Sequence, residues 1–176
     1  MDIIDKKVEL RKQFFISNKT FNIKDRKIAD RKLARKVNTW LLSHKNRNLK
    51  IMAYSSFPSE PPVLDFLRSK NIHIYLPETR GNRIIPRSIE TDKPEKGYNL
   101  DYVIVPALFV TSKGDRLGRG GGFYDRFLHY FNRNLTLFIG YDWQMVEELP
   151  TEPWDKPVGR WITDRSSGLC LQRNGS

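Results

Sequence analysis

Between residues 114 and 126 the chain reads Gly114-Asp115-Arg116-Leu117-Gly118-Arg119-Gly120-Gly121-Gly122-Phe123-Tyr124-Asp125-Arg126. Its glycines let successive backbone N–H groups turn toward one point, and the start of a following helix adds further unpaired donors. Arg116 and Arg119 supply forked guanidinium donors that match phosphate oxygens. The chemistry suggested is the binding of an anion, a phosphate above all. Neither common nucleotide loop is present. No Gly-Lys-Ser/Thr ends the stretch, and Phe123 stands where the dinucleotide fingerprint needs its third glycine. A plain flexible turn is one other reading. A single Arg-Gly-Gly element touching RNA is another, although such elements come in disordered repeats and this one is single.

The loop needs a strand before it and a helix after it. Asp101–Val110 is the most apolar run and reads as a central buried strand, stopped or bent at Pro106. Phe123, Phe127, Leu128 and Phe131 keep helical spacing after the loop. Further strands are expected at Leu49–Tyr54, His73–Pro77, Leu135–Tyr141 and Val158–Thr163, the last of them closing the series, with a short helix after Pro61-Pro62. Residues 78–99 are polar and suggest at most one short strand. The first fifty residues read as two helices. Ile4, Val8 and Phe15 mark the apolar side of the first, with Lys7 and Arg11 on another; Ala29, Leu33, Val37, Trp40, Leu41 and His44 mark that of the second. Alternating strands and helices predict an α/β fold with a mostly parallel sheet, in one domain spanning 1–176. Residues 1–48 form its basic helical part and 165–176 a loose tail.

The chain has 176 residues, 39% of them hydrophobic, enough for a sizeable core. Its formal net charge is +11, and the excess is local: the first fifty residues carry 15 Lys+Arg against 5 Asp+Glu, the other 126 carry 16 against 15. Arg31, Lys32, Arg35 and Lys36 fill the wet side of the second helix, so much of the surplus is a solvated face rather than a nucleic-acid stripe. A single cysteine, Cys170, makes no internal disulfide, no Cys/His cluster has metal-ligand spacing, and no run approaches a membrane span. A cytoplasmic protein with no membrane partner is the expectation. His44, His73 and His129 are scattered and suit structural roles.

The run Arg116 to Asp125 closely resembles the signature of the 5-formyltetrahydrofolate cyclo-ligase (5,10-methenyltetrahydrofolate synthetase) family, usually Arg-Leu-Gly-Arg-Gly-x-Gly-Tyr-Tyr-Asp. Lys7-Val8-Glu9-Leu10-Arg11 looks like the family's N-terminal Lys-x-x-Leu-Arg. Tyr54 through Glu60, Val105-Pro106, Gly140 through Gln144, Leu149-Pro150 and Trp154-Asp155 extend the likeness over nearly the whole chain, with a gap around 78–99.

The resemblance implies a three-layer αβα fold of the Rossmann-like kind shared with the NagB/ribose-5-phosphate isomerase/CoA-transferase group, as a monomer. It implies ATP- and Mg²⁺-dependent closure of 5-formyltetrahydrofolate, with or without a polyglutamate tail, to 5,10-methenyltetrahydrofolate. In that chemistry ATP phosphorylates the formyl oxygen, N10 attacks and phosphate leaves. By the same resemblance Lys7 and Arg119 serve catalysis. ATP is held by Lys7, Arg11, Arg116, Leu117, Gly118, Arg119, Gly120, Gly121, Gly122, Phe123 and Tyr124. The folate meets Ser55, Glu60, Arg119, Gly120, Gly121, Gly122 and Phe123, and Asp125 meets Mg²⁺. Two acidic positions of the family read Thr111 and Gly159 here, and a histidine often seen before the C-terminal Asp is Trp154. The rival readings are a basic RNA- or single-strand-binding protein using the first fifty residues, and a non-catalytic folate- or nucleotide-binding relative.

Overall fold

A computed structural model describes residues 2–44, 48–68, 71–95 and 99–170. Helices α1 (Ile3–Thr20) and α2 (Ile23–Leu42) come first, and the chain breaks between them where Asn22 caps α2 by accepting from the Asp25 N–H at 2.9 Å. Then follow β1 (Leu49–Met52), α3 (Val63–Phe66), β2 (Ile72–Arg80), β3 (Arg83–Ser88), β4 (Tyr102–Ile104), β5 (Phe109–Thr111), β6 (Arg116–Leu117), α4 (Phe123–Leu128), β7 (Thr136–Gly140), β8 (Met145–Val146), β9 (Arg160–Thr163) and β10 (Ser167–Leu169).

Seven strands form one sheet in the order β10-β9-β7-β4-β1-β2-β3, and β6-β5-β8 form a second. Strands β9, β7, β4, β1 and β2 run parallel, while β10 and β3 add antiparallel edges. Side-chain alternation gives the large sheet two apolar faces. Ile51, Ile74, Ile104 and Ile139 pack with Leu33 and Val37 of α2 and Val63 of α3, whereas Met52, Tyr75, Val103 and Phe138 pack with Phe127 and Leu128 of α4. Helices on both faces make the three layers the sequence suggests.

Counted among the parallel strands alone, the order is 2-1-3-4-5. The chain reverses its direction of growth between β1 and β4, and a crevice opens there beyond the carboxyl ends of these strands. The loop after β1 carries Tyr54 to Glu60, and the segment after β4 carries Pro106 and Ala107.

Four expectations change. The run Asp101–Val110 is two strands in two sheets, because Pro106 has no N–H to continue the ladder. Residues 72–88 form a hairpin turning at Gly81-Asn82, with Arg80 paired to Arg83; residues 96–98 lie outside the described ones. The suggested fraying end carries β10 on β9, so β9 is not the last strand, and residues 171–176 lie outside the described ones. The first helix also turns a different side inward. Phe14 is fully buried against Phe109 and Trp143, at ring-centroid distances of 5.8 and 5.2 Å, and Lys7 is buried with it. Ile4, Val8 and Phe15 remain exposed. Phe14 fastens α1 to the smaller sheet, and the carboxylates that receive Lys7 lie about 145 residues along the chain, where helical spacing cannot reveal them.

Candidate active site

The crevice is a cleft of about 1470 Å³. Every residue assigned above to ATP, folate, metal or catalysis lines it: Lys7 and Arg11 from α1, Ser55 and Glu60 from the loop after β1, and Arg116 through Asp125 from β6, the glycine loop and the start of α4. Leu117 does so at the edge of its own burial, since its side chain packs with Phe14, Leu108 and Phe109. Seven Lys and Arg side chains face four Asp and Glu along the walls, a surplus suited to anionic ligands.

The loop runs from a pinned start to a short helix. Arg116 is buried; its Nε donates to the Lys156 carbonyl at 3.0 Å and its NH2 to Asp125 at 2.6 Å. Burial pushes the Arg116 guanidinium below its ordinary range, and the Asp125 charge opposes that. Gly120 and Gly122 hold positive φ angles of 104° and 65°, which side-chain-bearing residues rarely adopt. Arg11 steadies the loop from α1, donating from Nε to the Gly118 carbonyl at 3.1 Å. Helix α4 has six residues, so its dipole adds less than the expected full helix.

Across the cleft, Glu60 is buried and closes a tight turn on the Phe57 N–H at 2.9 Å. Its other oxygen accepts from Arg119 at 2.7 Å, and the Arg119 guanidinium lies 4.3 Å from the centre of the Phe57 ring. Lys7 donates to Asp155 at 2.6 Å and to Glu152 at 2.7 Å. Burial alone lowers an ammonium's pKa; these two carboxylates overcome it and raise Lys7 above its ordinary 10.5.

Several lining residues had been assigned no role from the sequence. Glu152 and Asp155 are the counter-ions of Lys7, and Phe57 lies beneath Arg119. Arg126 donates to the Asn82 carbonyl at 2.8 Å and the Gly121 carbonyl at 3.1 Å, tying the β2–β3 hairpin to the glycine loop. Gly81-Asn82 between two apolar runs was a readable hairpin signal. Phe57 carried none.

The donor set does not fit a protein-held magnesium ion. Asp125 Oδ1 already accepts from Arg116 and from the Lys156 N–H at 3.0 Å. Among the described residues no three His, Cys, Asp or Glu side chains are placed to hold a metal. Thr111 faces the β5–β6 turn, its Oγ1 accepting from the Asp115 N–H at 3.1 Å, and Gly159 abuts the Arg133 carbonyl. Neither lines the cleft.

The model of the 5-formyltetrahydrofolate cyclo-ligase family matches residues 76–164. The chain belongs to that family. Cyclo-ligase relatives include a 5-formyltetrahydrofolate cyclo-ligase of Escherichia coli K12, 46% identical over 66 residues. That alignment takes in 36% of this chain and 36% of the relative, so the match spans about a third of the E. coli protein's length. Another, from Mycolicibacterium smegmatis, is 28% identical over 160 residues, covering 76% of this chain and 82% of that protein. Among solved structures, a 5,10-methenyltetrahydrofolate synthetase from Mycoplasma pneumoniae superposes with a TM-score of 0.79 at 24% identity, over 90% of this chain and 98% of that one. The two share one fold. Among the described residues no helix is long and apolar enough to cross a membrane.

Proposed function

We propose that this chain binds ATP and 5-formyltetrahydrofolate together and closes the folate to 5,10-methenyltetrahydrofolate, releasing ADP and phosphate. The observation that carries the reading is the meeting of two loops in one cleft. A glycine loop with two arginines faces a buried carboxylate, and the space exceeds the roughly 300–1,000 Å³ of an ordinary single-ligand site. Family membership supplies the reaction class.

The division of labour follows from charge. Arg11, Arg116 and Arg119 surround the glycine loop and would take the nucleotide phosphates, with loop N–H groups between them. Glu60 would accept hydrogen bonds from pterin N–H groups, and Ser55 of the same loop also lines the cleft. Phe123 offers a ring for stacking. Lys7 is committed to Glu152 and Asp155, so it would reach phosphate by exchanging one of them. In the reaction the γ-phosphoryl group passes to the formyl oxygen and ADP leaves. N10 then adds to the formyl carbon, and the carbon–oxygen bond breaks. That oxygen departs within phosphate, which also takes the N10 proton. No protein nucleophile is needed, so positioning and charge stabilisation are the enzyme's contribution. No step is assigned to a protein-held metal.

The test is ATP-dependent growth of methenyltetrahydrofolate absorbance with purified protein, matched by ADP release. Folate uptake without ATP consumption would mark a binding relative instead. Absence of both would end the reading.

A further inference from the structure

A buried polar group without a partner loses its hydrogen bonds to water and gains none in return, so each one asks for a reason. Among the described residues five buried side-chain atoms lack a partner within the protein: Nε1 of Trp40, Trp143 and Trp161, Nε of Arg160, and Oη of Tyr124. Of these residues Tyr124 alone lines the cleft.

Its place is set from two sides. Tyr124 follows Phe123 at the start of α4, directly after the glycine loop. The same cleft is lined by Arg116, at the phosphate end, and by Glu60, on the wall proposed for the pterin. A tyrosine hydroxyl ionises only at about pH 10, so at neutral pH it is an O–H donor. In the reaction proposed above, one substrate atom must lie between nucleotide phosphate and pterin: the formyl oxygen.

We propose that the Tyr124 hydroxyl is a catalytic hydrogen-bond donor to that oxygen. The role rests on the cyclo-ligase reading. When N10 closes on the formyl carbon, the carbon–oxygen electron pair stays with the oxygen, which leaves in phosphate. Tyr124 keeps its own proton and holds the oxygen by a hydrogen bond as charge gathers there. A donor left unpartnered in the free protein and satisfied only by the reacting oxygen places its gain on the reacting state.

Tyr124→Phe preserves the ring and removes only the hydroxyl. The expected result is a kcat lower by about 100-fold, with KM for 5-formyltetrahydrofolate held within about threefold. The melting midpoint should equal or exceed the parent's, because the lost group had no partner to forfeit. A kcat within about twofold of the parent overturns the proposal. So does a midpoint lower by about 3 °C or more, which would make the hydroxyl structural. A parent protein without turnover removes the cyclo-ligase reading itself, and this role with it.

Discussion

Arg119 and Glu60 lie 59 residues apart in sequence and 2.7 Å apart in the fold, where their ion pair joins the glycine loop to the loop after β1. Each partner is wanted elsewhere by the proposed ligands. A phosphate competes for the guanidinium, and a pterin competes for the carboxylate. Nucleotide that draws Arg119 away therefore frees Glu60 to accept from the folate, and the two affinities become coupled. A non-hydrolysable ATP analogue should lower the Kd of 5-formyltetrahydrofolate by about fivefold or more, read by titration calorimetry. In Glu60→Gln the folate binds more weakly and the enhancement shrinks. An equal folate Kd with and without nucleotide in the parent would show that the pair is not exchanged.

Lys7 should hold the fold as well as the site. Its ammonium is the shared counter-ion of Glu152 and Asp155, and both carboxylates lose it in Lys7→Met. The variant should be less stable by about 3 kcal/mol, a midpoint drop of roughly 6–12 °C. The pH dependence has a definite sign. The folded pKa is raised above 10.5, so the stabilisation is complete below that value and disappears as pH rises through the folded one. Melting curves should keep the parent and Lys7→Met apart by a constant interval through neutral pH. The interval should narrow only above about pH 10.5. An interval already closing near pH 8 would contradict the pairing.

The glycine loop and the strand–helix alternation were legible in the sequence because both are local patterns. The apolar side of α2 was legible for the same reason: Leu33 and Val37 recur at helical spacing and are buried. The inward side of α1 was not. Its burial depends on Phe109 and Trp143 for Phe14, and on Glu152 and Asp155 for Lys7, all distant in sequence. The small β6-β5-β8 sheet was hidden because its strands have two or three residues, too short for any period to register. The β2–β3 hairpin offered its Gly81-Asn82 turn as a local signal, but Glu78-Thr79-Arg80 and Arg83 beside the turn blur the strands, although Ile84 packs inward.

That hairpin stands on the Glu60 side of the cleft, since β2 is the neighbour of β1 and β3 lies beyond it. Arg126 joins its turn to the glycine loop through two backbone carbonyls. Arg126→Ala should loosen that wall without touching the core. KM for the folate should rise about tenfold, roughly 1.4 kcal/mol, while kcat and the melting midpoint change little. Steady-state kinetics check this. A fall in kcat at constant KM would place Arg126 in the chemistry instead.

Gly159 is where the family resemblance places an aspartate, and restoring the acid is the obvious way to look for a lost metal ligand. The fold argues that this fails. A Cβ there would meet the Arg133 carbonyl oxygen at 2.2 Å. The backbone cannot easily yield, because the Gly159 N–H donates to Thr136 Oγ1 at 2.8 Å and its carbonyl accepts from the Cys170 N–H at 2.9 Å. Gly159→Asp should therefore cost about 3 kcal/mol or more, lowering the midpoint by roughly 6–12 °C. It should also leave magnesium binding unchanged in calorimetry, since the position lies outside the cleft lining. A stable variant that gains a magnesium site would show that β9 and the Arg133 turn can part enough to bring an acid toward the ligands.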